Sequence, residues 1–352
     1  MSKYIVRRLI GAIPVLIGLS IVVFAFIRLL PGDPATAILG QHATAQRIAE
    51  MREALGLDKP IWQQYLIYVQ TLLRGNLGRS IINGQPVVEE FLRRFPATVE
   101  LTVGAMIFAA GVGIPLGRYA AKRVQRWQDG SVTVLSLIGI SIPVFVLGLT
   151  LQYIFGVQMK QWAETFPVLG FFVLPVSGRV DARTQIELQS NLVLIDAWLQ
   201  PDLDFKQKFD LFMDGIRHLI LPAIALGSIP LAIITRITRA SVIDVSNEDY
   251  VRTARAKGIT ERRIDGRHVM RNAWLPVVTV LGLQVGGLLA GAVITETVFA
   301  WPGVGRWVVE AIGNRDYFIV QSTILVFALI FLVVNLIVDV MYAFLNPRIR
   351  YA

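Results

Sequence analysis

The residue types that carry out enzyme chemistry form no catalytic pattern in this chain. The sequence contains no G-x-x-x-x-G-K-[ST] phosphate loop, no H-E-x-x-H zinc motif and no G-x-S-x-G nucleophile turn. It has no cysteine, and His42, His218 and His268 fall in separate segments, which favours structural roles for them. We therefore predict a protein that is not an enzyme and that holds no metal and no cofactor.

Ionisable residues lie only near the ends of the apolar runs. These residues are Arg28, Glu100, Glu296 and Asp339, and we expect contact with the membrane interface to solvate them. An uncharged membrane interior argues against a proton-driven carrier. The side chains predicted to line a polar translocation path are Ser141, Gln284, Thr295, Glu296 and Asn335. Hydrogen bonds between packed helices are the alternative role for such polar side chains.

The amino-acid composition indicates the class of protein to which these residues belong. The 352 residues are 54% hydrophobic and only 17% charged. Soluble domains usually carry about 25% charged residues, so this is an integral membrane protein. The net charge of +9 is explained by positively charged cytoplasmic loops beside anionic lipid. Nucleic acid is not an expected partner.

The hydrophobic pattern predicts an all-α fold with six transmembrane helices and both termini in the cytoplasm. Residues 9–27 are free of charge and long enough to cross the membrane as an uncleaved first helix. A signal peptide is the alternative, but its apolar region usually has only about 7–15 residues. The other spans are predicted at about 101–117, 131–158, 216–235, 275–295 and 317–338. Pro143 predicts tilt or a kink in the third span.

Two long polar intervals are predicted outside the membrane. Residues 31–98 read as a helical region, with a helix capped by Thr44 and two more that begin at Pro60 and Pro86. In the loop 160–215, residues 165–178 are apolar but too short to cross, which predicts an interfacial or packed loop. The chain thus divides into a tail and first helix (1–30), the helical region (31–98), a permease core (99–346) and a cytoplasmic tail (347–352).

The cytoplasmic loop 236–274 contains the densest basic cluster, with nine Lys and Arg residues between Arg236 and Arg271. Its composition predicts a short helix from Asp249 to Lys257 that Gly258 terminates. Thr260 is positioned to cap a second helix starting at Glu261. This stretch is too charged to lie in lipid, so it meets water or a partner protein.

Motifs along nearly the whole chain resemble those of one family, the membrane-spanning permease subunits of ABC importers of the dipeptide, oligopeptide and nickel class. The matching segments are YIVRRL (4–9), LPGDP (30–34), LGLD (55–58), GNLGRS (75–80), HLILPA (218–223), DYVRTARAKG (249–258), ETVF (296–299) and PGVG (302–305). The last three are the most specific.

The resemblance implies a role for the cytoplasmic loop. In that family an E-A-A…G…L-P motif forms a helix that lies in a groove of the ATPase subunit. The E-A-A positions correspond here to Arg252, Thr253 and Ala254, followed by Gly258 and Leu275-Pro276. The missing Glu and the longer interval before Leu-Pro resemble the peptide-type branch. The implied coupling residues are Asp249, Tyr250, Arg252, Thr253, Ala254, Arg255, Ala256, Lys257 and Gly258.

The resemblance also implies the partners and the fold. The fold is that of a type I ABC importer permease in a bacterial inner membrane. The partners are a second homologous permease, two ATP-binding subunits, an extracytoplasmic substrate-binding protein and membrane lipid. The predicted function is passage of peptides or a similar small solute. A self-sufficient secondary transporter or channel is the alternative, and it requires a functional carboxylate in mid-membrane.

Overall fold

The computed structural model describes residues 2–29, 35, 44–54, 56–184, 186 and 188–345, and the structure is 79% helical. The predicted tail 347–352 and the LPGDP motif lie outside the described residues. The helices before the cytoplasmic loop are α1 (Ser2–Leu29), α2 (Ala45–Ala54), α3 (Ile61–Leu73), α4 (Val87–Ala121), α5 (Trp127–Ser141), α6 (Val144–Gln152), α7 (Met159–Thr165), α8 (Val193–Leu199) and α9 (Phe205–Ser246). Those that follow are α10 (Asp249–Ala256), α11 (Glu261–Arg263), α12 (Arg271–Gly291), α13 (Val293–Val298), α14 (Val304–Gly313) and α15 (Tyr317–Leu345).

Six membrane crossings are present in the described part of the chain if the bent third helix counts as one. Five stretches are long and apolar enough to cross singly: Val6–Ala25, Val87–Ala121, Phe205–Ser246, Glu261–Leu289 and Tyr317–Val340. The third crossing comprises α5 together with the helical stretch Val144–Thr165. The all-α fold with six predicted transmembrane helices is therefore confirmed.

The third crossing bends far more than a proline kink. Its two parts meet at 98°. Ile142, which precedes Pro143, has an extended backbone with φ −80° and ψ 122°. A proline disfavours helical backbone in the residue before it and lacks the N–H that would continue the hydrogen-bond ladder. The structure thus has the predicted break at Pro143, and the bend there is larger than that of a kinked helix.

Two predicted elements are much longer in the structure. The helix expected to begin at Pro86 and the span expected at 101–117 are one helix, α4, of 35 residues. The span predicted at 216–235 is the middle of α9, which has 42 residues. A capping box starts α9, because Asp204 accepts from the Gln207 N–H and the Gln207 side chain accepts from the Asp204 N–H.

Close packing of α4 against α9 forms the centre of the fold. A Cβ on Gly227 would lie 2.7 Å from the Ala105 carbonyl oxygen, and one on Gly113 would lie 3.0 Å from that of Leu231. Only glycine allows the backbones of two membrane helices to approach this closely. The two helices therefore form a tightly packed pair on which the other elements are arranged.

The extracytoplasmic loops are fixed to this centre by buried polar contacts. The backbones of Arg79 and Pro86 form an isolated antiparallel β-bridge. Ser80, which lies between them, donates a 2.6 Å hydrogen bond to the buried Asp316 carboxylate. In the loop 160–215, a 3₁₀ turn over Pro167–Phe172 exposes its apolar side chains. Further along, Arg179 pairs with Glu100 of α4, and both side chains are 6% exposed. The long outer loop is thus packed onto the membrane core.

Candidate functional site

The predicted coupling helix is present as α10, which covers Asp249–Ala256 with Lys257 as its C-terminal cap. Gly258 follows in the left-handed region, with φ +75°, as expected of a glycine that ends a helix. The Thr260 side chain makes no capping hydrogen bond, although the second helix does begin at Glu261. The predicted bounds of this helix are therefore confirmed. The prediction that the Thr260 side chain caps the second helix is wrong.

One face of α10 is buried in an apolar core on the cytoplasmic side. Val251 and Ala254, three residues apart, lie on this face. Their neighbours come from α9, from the residues after α10 and from the start of α12: Val242, Ile264, Val269, Met270 and Ala273. α10 is therefore a packed element, not a loose loop.

The other face of α10 is exposed. Eight of the nine predicted coupling residues are exposed: Asp249, Tyr250, Arg252, Thr253, Arg255, Ala256, Lys257 and Gly258. Ala254 is the exception, since it is 5% exposed and packs inward. The set predicted from the sequence thus contains eight residues that are accessible to a partner protein and one, Ala254, that packs in the core beneath the helix.

The segment after α10 differs from the prediction of a second separate helix. The helix that starts at Glu261 continues through a π-helical turn, Ile264–Met270, directly into α12. Tyr250 fastens α10 to this turn, because its hydroxyl donates to the His268 carbonyl at 3.3 Å and accepts from Asn272 Nδ2 at 2.8 Å. The fifth transmembrane helix therefore extends into the coupling region.

Asp265, which the sequence reasoning missed, lies in that π-helical turn and pairs with Arg118 of α4 and with Lys122, the C-terminal cap of α4. Lys122 Nζ is 2.6 Å from its Oδ2, and the Arg118 guanidinium contacts the same oxygen. The available signal was that Asp265 is the single carboxylate among the Arg residues of the stretch 262–271, where it can pair with several cations. The coupling region is thereby joined to the cytoplasmic end of α4.

Two of the five predicted path residues, Gln284 and Thr295, line one cavity of about 220 Å³. The cavity lies between α6, α9, α12 and α13, and its walls carry no charged side chain. The Thr295 hydroxyl is buried and has no hydrogen-bond partner among the described residues. The cavity is lined by Val144, Leu226, Ile229, Pro230, Gln284, Gly287, Leu288, Gly291, Ile294 and Thr295.

Ser141 and Asn335 lie outside the lining of this cavity. The Ser141 hydroxyl is exposed and donates a 2.9 Å hydrogen bond to the Leu137 carbonyl of its own helix. Asn335 is half-buried on α15, where its Oδ1 lacks a hydrogen-bond partner within the described part of the chain. The structure therefore does not bring the five predicted path residues together at one site.

Glu296 is fully buried in a hydrogen-bonded junction beside the cavity. Its carboxylate accepts from Thr98 Oγ1 at 2.7 Å and from the backbone N–H of Arg306 at 2.9 Å. Burial raises the pKa of Glu296 to about 7, although hydrogen bonds from Thr98, Arg306 and the Gly305 N–H oppose the shift. The expectation that contact with the interface would solvate Glu296 is wrong, because the carboxyl group joins α4, α13 and the start of α14.

The other acidic residues of the apolar runs are paired. Glu100 accepts from Arg179 and from the Leu194 N–H, at 2.9 Å in the second case, so the expected solvation by the interface is wrong here as well. Asp339 lies 2.7 Å from Arg8. These carboxylates therefore connect distant segments of the chain.

Comparison with known proteins identifies the family to which the chain belongs. Residues 113–351 match the family described as the binding-protein-dependent transport system inner membrane component. Residues 1–102 match the N-terminal region of such membrane components. The chain belongs to this family, and it is the multi-pass inner-membrane permease component of a bacterial ABC importer.

Individual relatives match from end to end. The chain is 47% identical to the di/tripeptide transport system permease protein DppB of Pseudomonas aeruginosa, covering 100% of this chain and 99% of the relative. It is 46% identical to the dipeptide transport system permease protein DppB of Escherichia coli K12, with the same coverage. It is 40% identical to the glutathione transport system permease protein GsiC of Escherichia coli O6:H1, with full coverage of both chains.

Proposed function

We propose that this chain forms half of the translocation pathway of an importer for dipeptides or similar short peptides. A second homologous permease supplies the other half, an external binding protein delivers the solute, and two separate ATP-binding subunits hydrolyse ATP. Similarity to permeases of dipeptide, di/tripeptide and glutathione systems supports this solute class. The permease itself carries out no chemical step.

The observation that carries the proposal is the two-sided coupling helix α10. Its apolar face is buried against elements of the membrane bundle, while Arg252, Arg255 and Lys257 are exposed. Energy coupling requires a stiff element that contacts both the motor and the moving part. We propose that the exposed face of α10 binds in a groove of an ATP-binding subunit and transmits its closure to the permease.

The cavity beside α12 supports passage of a solute that is not selected by charge. Its lining combines apolar side chains, the glycines of α12 and the polar groups of Gln284 and Thr295. Backbone surface at Gly287 and Gly291 is open, since a Cβ on either would meet nothing within 4 Å. A neutral lining suits peptides with varied side chains, and it gives a proton-driven carrier no titratable group within the cavity.

The test is uptake of a labelled dipeptide by proteoliposomes that contain the assembled complex, with ATP inside and the cognate binding protein outside. The double variant Arg252→Glu/Arg255→Glu should reduce retention of the ATP-binding subunits at least tenfold, or about 1.4 kcal/mol of binding free energy. The double variant Arg123→Glu/Arg126→Glu makes the same charge changes in the connection between α4 and α5 and should retain the ATP-binding subunits.

Two results would contradict the proposal. One is unchanged retention of the ATP-binding subunits and unchanged stimulated hydrolysis in the Arg252→Glu/Arg255→Glu variant. The other is dipeptide uptake at the full rate by the permease without ATP-binding subunits, which would favour a self-sufficient carrier.

A further inference from the structure

The Asp265 carboxylate is the polar member of the junction between α10 and the membrane helices. Its side chain is 13% exposed, whereas the side chains of Arg118 and Lys122 are 42% and 45% exposed. If Asp265 is removed, Arg118 and Lys122 can still be solvated by water. If the two cations are removed, the largely buried Asp265 carboxylate is left unpaired, which destabilises the fold. The clamp of these three residues therefore depends most on Asp265.

The clamp acts on an irregular segment of the helix. Asp265 lies in the π-helical turn Ile264–Met270, and turns of this kind are frequent at functional sites. Gly266, the next residue, has open space around it, since a Cβ there would meet nothing within 4 Å. Ile264, Val269 and Met270 of the turn pack in the apolar core beneath α10. The two ion pairs of Asp265 add a polar connection between this turn and the cytoplasmic end of α4.

The end of α4 is well placed to pass a displacement into the membrane. Arg118 lies in its last turn, directly after Gly117, where a Cβ would collide with the Thr235 carbonyl and the Thr238 side chain of α9. At the same membrane side, Asp129 of α5 pairs with Arg239 of α9 through two hydrogen bonds, of 2.5 and 2.7 Å. A force on α4 at this point therefore reaches both α9 and α5.

We propose that Asp265 is the positioning residue that couples α10 to the transmembrane helices. Through Arg118 and Lys122, a displacement of α10 and its adjoining π-helical turn moves the cytoplasmic end of α4, and with it α9, which lines the cavity. This inference rests on the proposed docking of α10 to an ATP-binding subunit. Asp265 itself makes no contact with that subunit. Its loss separates ATP hydrolysis from transport.

The experiment measures dipeptide uptake per ATP hydrolysed in proteoliposomes containing the whole complex. Asp265→Asn should keep the ATP-binding subunits bound and the unstimulated hydrolysis within twofold of wild type, while uptake per ATP falls at least tenfold. Asp265→Glu, which preserves the charge, should recover most of the yield. Asp244→Asn makes the same change at an exposed carboxylate near the end of α9 and should leave the yield unchanged.

A charge swap tests the pairing even if Asp265→Asn fails to assemble. Arg118→Asp alone places a second carboxylate beside Asp265 and should abolish coupled uptake. Arg118→Asp combined with Asp265→Arg restores an ion pair, with Lys122 still adjacent, and should recover at least a third of the yield. Wild-type yield in Asp265→Asn overturns the proposal, and so does a swap that performs no better than Arg118→Asp.

The test of Asp265 can be distinguished from the test of α10 docking. If the Arg252→Glu/Arg255→Glu variant keeps its ATP-binding subunits, the docking assignment is wrong whatever Asp265 does. If docking depends on that face but uptake per ATP does not depend on Asp265, only the clamp is wrong.

Discussion

The buried pair of Glu100 and Arg179 provides the most quantitative test of the structure. The Arg179 guanidinium contacts Glu100 and the Asn191 carbonyl, and it lies 5.6 Å from the centre of the Trp301 ring. In Arg179→Met the carboxylate retains one donor, the Leu194 N–H. Removing one partner of a buried ion pair costs about 3–5 kcal/mol, because a charge is left without compensation. We expect a loss of that size in the free energy of unfolding.

A second substitution should recover most of this loss. Glu100→Gln combined with Arg179→Met removes both charges, and the Gln carbonyl can still accept from Leu194. Replacing a buried pair by uncharged groups is often close to neutral, so we expect a cost of about 1 kcal/mol. The double variant should therefore be about 2–4 kcal/mol more stable than Arg179→Met.

The assay is equilibrium unfolding of the purified permease in mixed detergent micelles, followed by tryptophan fluorescence for the four proteins of the double-mutant cycle. Arg183→Met serves as the control, since Arg183 is exposed in the same outer loop and should change stability by less than about 0.5 kcal/mol. Limited proteolysis should also cut the outer loop faster in Arg179→Met. A loss below 1 kcal/mol in Arg179→Met, or a double variant as unstable as the single one, would refute this account of the buried pair.

Two further predictions concern Glu296 and Gly258. Because the pKa of Glu296 is raised from 4.5 to about 7 in the folded protein, its stabilising contribution is complete below about pH 4.5 and is lost as the pH rises through 7. Glu296→Gln should therefore flatten the dependence of the unfolding temperature on pH while preserving dipeptide uptake; an unchanged pH dependence would contradict this. At Gly258 the backbone has φ +75° and there is open space around the Cβ position, so Ala and Leu should each cost about 1–2 kcal/mol, whereas Asn should cost less. A Leu variant much less stable than the Ala variant, measured by thermal unfolding, would indicate a steric clash instead.

The fold class and the coupling helix were both accessible from the sequence. Runs without charge, such as 9–27, specify membrane helices because hydrocarbon tolerates few ionised groups. The helix Asp249–Ala256 and its stop at Gly258 follow from local preferences, since glycine alone adopts the left-handed backbone without strain. These features depend on residues that are neighbours along the chain.

Only the tertiary structure decided how distant residues are paired. Glu100 with Arg179, and Asp265 with Arg118 and Lys122, are joined across long stretches of chain. No local pattern specifies these contacts, because they depend on how α4 packs against its neighbours. The sequence reasoning grouped Ala254 with the residues available to a partner, whereas in the structure Ala254 packs inward beside Val251 and Arg252 and Arg255 are exposed. The sequence determined which segments cross the membrane and where the predicted coupling helix lies, whereas packing determined which distant side chains are paired.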